Sequence, residues 1–156
     1  MSETGRGRGR GADTKPGTQG LPVIDDFDAL VDLVIAHEHV FARLSSGPQT
    51  DASKSVDHES QVELPGLSVT NLTPEPWWTR PSADWIARRV RQYADPGETR
   101  PRQQPWVLLG RVVGNGPDHE PLVVDVQPLG WIGPSAVREA QRRYRRAFEP
   151  RGRVDE

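Results

Sequence analysis

The chain has 156 residues, 34% hydrophobic and 27% charged, with no cysteine and a formal net charge of -2. That length suits one domain with a modest core, and the composition excludes a membrane protein, a disulfide scaffold, a thiolate metal site and a cysteine nucleophile. Fifteen glycines, fifteen prolines and a mean hydropathy of -0.68 assign a sizeable part of the chain to loops or tails.

Residues 1–20, with their RGRGRG tract, have nothing to bury against the entropy of ordering and read as a disordered tail. They contain no apolar stretch for a signal peptide, and nowhere is there a run near the ~20 apolar residues of a spanning helix. This points to a cytoplasmic protein that does not enter a membrane. RGRGRG resembles arginine–glycine segments that bind RNA, but without interleaved aromatics a plain solubilising tail is favoured.

From Leu21 the chain reads as one α+β domain to residue 149, followed by a disordered tail over 150–156. Asp25 or Asp26 caps a first helix whose apolar positions Phe27, Leu30, Val31 and Val34 recur at helical spacing. In HVFARLS the period changes to two, with Val40, Ala42 and Leu44 on one strand face and Phe41, Arg43 and Ser45 on the other. Gly47 and Pro48 end that strand, and the polar residues 49–62 form a long loop. LPGLSV at 64–69 makes a short strand or extended segment broken by Pro65 and Gly66, and the two tryptophans of LTPEPWWTRP need burial. Ser82 caps a second helix, with Trp85, Ile86, Val90 and Tyr93 inward, Arg88 and Arg91 outward, and a stop near Asp95-Pro96-Gly97. PWVLLGRVV and PLVVDVQPLGWI, joined by GNGPDHE, predict an antiparallel hairpin. From Pro134 a last helix buries Val137, Ala140, Tyr144 and Phe148 and exposes Arg138, Arg142 and Arg145. The order predicts a small, mainly antiparallel sheet packed by about three helices.

Charge is segregated: residues 21–77 carry -8 and residues 134–153 carry +5, which means either acidic and basic surfaces for partners or, the simpler reading in a compact domain, acidic and basic elements that pack together and neutralise. Phosphate-binding loops, dinucleotide fingerprints, HExxH and GxSxG are absent. His37 and His39 form an HxH pair at a helix–strand junction, read as boundary histidines rather than metal ligands. Arg43 is unusual in mid-strand. Once covered, its guanidinium needs a carboxylate, with Asp51, Asp57 and Glu120 as candidates, or an anionic ligand. An internal pair is the simpler outcome. Ser68 and the Asp118–Glu120 turn add further polar groups near strand ends.

RLSSGP at 43–48, SVDHES at 55–60, LPGLSV at 64–69, PEPWWTRP at 74–81, QPWVLLGRVVGNGPDHEPLV at 104–123 and GWI at 130–132 together resemble an uncharacterised bacterial family of domains of unknown function from high-GC organisms. The pattern departs at Leu44, Gln104 and His119. The resemblance implies kinship and no activity.

Three functions fit. The main one is a non-catalytic binding or interaction module without a cofactor, holding an anionic ligand or a protein segment through Arg43, Ser45, Asp57, Trp77 and Trp78. Alternatively, the order Arg43, Ser68, Glu120 is similar to the Arg-Ser-Glu arrangement of ADP-ribosyltransferases. That resemblance implies an NAD-dependent enzyme in which Arg43 grips the phosphates, Ser68 orients the ribose and Glu120 meets its hydroxyl. A third reading binds nucleic acid through the basic helix around Arg138–Arg146 and the RGRGRG tail, against an isoelectric point of about 6.1. An open pocket shared by Arg43, Ser68 and Glu120 would favour a site; a closed hydrogen-bonded knot would favour a structural role.

Overall fold

The computed structural model describes residues 20–51, 53–94 and 103–149. The expected Gly/Arg-rich tail up to residue 19, the tail from 150 and the stop at Asp95–Gly97 lie outside them. The fold is α+β. In chain order it comprises β1 (Val23–Ile24), α1 (Phe27–Ala36), β2 (Phe41–Ser45), β3 (Leu67–Ser68), β4 (Thr70–Asn71), α2 (Ser82–Val90) running into a 3-10 turn (Arg91–Ala94), β5 (Gln104–Asn115), β6 (Pro121–Ile132) and α3 (Pro134–Phe148).

The strands form one mostly antiparallel sheet in the order β1-β6-β5-β2-β4, with β3 also on β6. The expected hairpin is β5–β6, its register shifted at three irregularities that bend it. Leu67 pairs with Val123 of β6, and four residues on Asn71 pairs with Phe41 of β2. One short ribbon therefore serves both margins, and the sheet curls on itself. Gly66 leads into this ribbon, where a Cβ would stand 2.8 Å from the Val123 carbonyl oxygen. The two-residue strand β1, parallel to the end of β6, is too short to carry a periodicity and adds an element beyond the expected order.

Alternation along β2 and β5 divides the core. Ala42 and Val107 face the three helices, where they join Leu30, Val34, Trp85, Ile86 and Ala140. Phe41, Trp106 and Leu108 fill the inside of the curl with Leu67, Val69 and Val123. The two faces of β2 are those the period-two pattern predicts.

Helix ends depart from expectation. Asp26 occupies the N-cap of α1 without a side-chain cap bond. Instead, the Phe27 amide donates to Glu139 of α3 at 3.0 Å, and the Ser135 amide of α3 donates to Asp25 at 3.0 Å. The two helices thus satisfy each other's free N–H groups with carboxylates placed at their positive ends. Pro81, not Ser82, is the N-cap of α2, because proline's fixed φ already sets the entry into the helix.

Two burial expectations are corrected. Trp77 is 69% exposed: next to Trp78 in a turn it points away from the core, touching Trp78 and Trp85 only at ring edges. Tyr144 and Phe148 are half-buried, because α3 outruns the apolar surface beneath it and guanidinium groups cover the rings. Arg91 lies 4.1 Å from the Tyr144 centroid and Arg80 lies 4.5 Å from that of Phe148. Asp84 is buried between α2 and α3, accepting from Arg143 Nε at 2.8 Å with Arg80 at 3.5 Å.

Candidate functional site

Arg43 stands opposite Trp106 on the inner face of the curl. After β2 the chain reverses at Gly47, whose φ of 123° is open to glycine, and the amides of Thr50 and Asp51 both donate to the Gly47 carbonyl. This turn returns Asp51 to the strand it has just left. Its carboxylate accepts from Arg43 Nε at 2.8 Å, from Arg43 Nη2 at 3.3 Å and from the Ser45 hydroxyl at 2.7 Å. Arg43 Nη1 donates to the Ser68 carbonyl at 2.8 Å. Of the three candidate carboxylates, Asp51 is the ion-pair partner. The internal pair is present, in bidentate geometry.

Ser68 reaches the same place from β3. Its amide donates to Ser55 Oγ at 2.9 Å, tying it to the 49–62 segment, which folds back through the Val56–Glu63 bridge. The Ser68 hydroxyl donates to Glu120 Oε2 at 2.9 Å. Glu120 bends over its own turn, its other oxygen accepting from the Asp118 amide at 2.9 Å. Glycine at 116 leaves room for this, since a Cβ there would run into the Glu120 carboxylate.

Arg43, Ser68 and Glu120 therefore converge, both bonded to one another in series and lining one open cleft of about 410 Å³. Lys54, Asp57, His58 and Asp118 are also among its walls. Asp57 accepts from both the hydroxyl and the amide of Ser60, which hold its carboxyl below the usual range, the hydroxyl most strongly. With Arg43 compensated by Asp51, the carboxylates of Asp57, Asp118 and Glu120 outnumber the remaining cation, Lys54.

A second, more apolar cleft of about 480 Å³ opens beside the first, walled by Pro48, Leu67, Trp106, Val124, Val126 and Pro128. Asp51 and Lys54 border both. Ser45 is buried between Trp106, whose indole donates to its hydroxyl at 2.9 Å, and Asp51. Of the expected site residues, Arg43, Ser68, Asp57 and Glu120 line the polar cleft and Ser45 supports it from beneath. Trp77 and Trp78 are not among its lining residues and pack with Trp85 of α2.

Lys54, His58 and the apolar cleft escaped sequence reasoning. The length and polarity of residues 49–62 were the available signal, but the side chains that turn inward depend on the bridge that folds the segment back. His37 bonds the Leu33 carbonyl within its own helix end, and among the described residues no group of three His, Asp or Glu side chains is arranged to hold a metal. No helix there is long and apolar enough to cross a membrane.

No curated protein and no solved structure matches the chain. A family model matches residues 17–153, most of the sequence and all of the described fold elements, and the chain accordingly belongs to that family, a family of unknown function (DUF6098).

Proposed function

We propose that the protein is a non-catalytic binding module whose ligand is a protein segment, seated across the two adjoining clefts. The observation that carries this reading is the bidentate hold of Asp51 on Arg43. It neutralises the guanidinium and leaves the polar cleft with surplus carboxylates, next to a cleft walled by apolar side chains. A basic side chain of the ligand suits the first and an apolar one the second, the usual division between orienting polar groups and apolar contact area. A small anion would have to compete with Asp51 for Arg43. The NAD-dependent alternative needs a guanidinium and a carboxylate open to the dinucleotide, whereas Asp51, Ser68 and the Asp118 amide already occupy both.

The test is a set of nitrogen-edited NMR titrations that follow the Trp106 indole and Arg43 Nε signals, which report on the two clefts. Synthetic peptides that carry Arg or Lys beside Leu or Phe are expected to shift both signals saturably, and Glu120→Gln is expected to weaken the response. Inorganic phosphate and NAD are expected to leave them in place. A response to phosphate or NAD with none to peptides would overturn the proposal.

A further inference from the structure

The outward face of α3 is a row of arginines. Positions 138, 142, 145 and 146 fall on one stripe of the helix, opposite the buried Ala136, Val137 and Ala140, and all four are exposed. Ion pairs among the described residues hold Arg43, Arg80, Arg111 and Arg143, and none involves these four. Among the described residues Arg138 bonds only the neighbouring Ser135 hydroxyl. Toward α2 the row widens into Arg91 and Arg88, exposed side chains lying against the rings of Tyr144 and Phe148. Together α2, the 3-10 turn and α3 carry eight arginines against two carboxylates, Asp84 and Glu139. Both of these are engaged, by Arg143 and by the Phe27 amide.

Keeping so many like charges on one face opposes folding unless something compensates them. We infer that this face is a docking surface for the phosphate backbone of nucleic acid, a second site separate from the clefts. Arginines four apart on a helix rise by about 6 Å, a spacing comparable to that of successive phosphates on one strand, so the row can follow a line of phosphates. Guanidinium forks meet phosphate oxygens in pairs, as ammonium groups cannot. Among the described residues the exposed large apolar side chains lie elsewhere, at Val23, Ile35, Val56, Val62, Trp77, Val112 and Val113, so none of them is on this face to insert between lipids. Asp28 and Glu139 border the row on its α1 side, which confines the track to the α2 side. Contacts of this kind read no bases and bind without sequence preference.

The full chain is titrated at several salt concentrations with a fluorescent duplex DNA and, separately, a single strand of equal length. The comparison protein carries Arg138→Gln, Arg142→Gln, Arg145→Gln and Arg146→Gln together. The N-terminal arginines are present in both proteins, so the difference reports on α3 alone. For duplex, four lost phosphate contacts should lower the slope of log affinity against log salt by roughly 3–4 and weaken binding at least about tenfold at low salt. Preference for one of the two probes identifies the form bound. Should the fourfold variant lose its fold, Arg142→Gln with Arg146→Gln serves instead, with an expected slope change of about 2. Equal affinity and slope for wild type and variant, no binding to either probe, or binding only to phosphatidylserine vesicles would overturn the inference.

Discussion

The Ser45 hydroxyl accepts the indole N–H of Trp106 at 2.9 Å while donating to Asp51, so the floor of the apolar cleft and the carboxylate that neutralises Arg43 are joined through one buried oxygen. The Gly47 amide donates to the same atom at 3.1 Å. Ser45→Ala therefore strands two interior N–H groups and is expected to destabilise the protein by about 2–4 kcal/mol. Urea unfolding measures this, and a loss below about 0.5 kcal/mol would contradict the role given to Ser45.

Arg43 and Asp51 should behave as a coupled pair. Asp51→Ala leaves a guanidinium that is 22% exposed with the Ser68 carbonyl as its acceptor, and Arg43→Ala leaves a carboxylate held by Ser45. Each change is expected to cost about 2 kcal/mol, and the double variant less than the sum, with a coupling of roughly 1–2 kcal/mol. Strictly additive losses would mean that the bidentate geometry contributes nothing.

Between α2 and α3, the two sides of the Asp84–Arg143 pair are unequal. Asp84 is buried, whereas the Arg143 side chain is a third exposed and can swing its charge into water. Arg143→Met is expected to cost about 2–3 kcal/mol and to exceed the loss from Asp84→Asn. Thermal unfolding of the two variants gives the order, and a reversed order would show that Arg80 alone satisfies Asp84.

Tyr93 is buried, and its burial raises the phenol above its usual value of 10.0 despite a hydrogen bond with Thr70. Below the unfolded-state value both states are protonated and stability is unaffected. Above it the unfolded chain releases the proton and the folded chain keeps it, so stability falls as pH rises, by about 1.4 kcal/mol per pH unit. Tyr93→Phe should remove this component of the alkaline slope. Stability curves that stay parallel above pH ~10 would contradict it.

Much of this architecture is legible in the residues themselves. The stripes of α1, α2 and α3, the β5–β6 hairpin and the alternation that puts Arg43 beside Phe41 and Ser45 follow from local period and turn chemistry. What escapes is set by distant partners. No local pattern tells that Glu139 and Asp25 serve each other's helices, or that Asp84, which sits where a first-turn carboxylate would normally face water, meets Arg143 instead. Arg43, Ser68 and Glu120 stand out as misplaced polar residues, but nothing local says whether they share an open pocket or a closed knot. The choice of Asp51 over Asp57 and Glu120 depends on the turn at Gly47, a conformation rather than a composition.

The ribbon Leu67–Asn71 belongs to two ladders at once, through Val123 and Leu122 on one side and Phe41 and Ala42 on the other. Detaching it breaks both, so amides at these far-separated positions should lose protection from deuterium in a single cooperative event, making this short stretch the common hinge-pin of two ends of the protein.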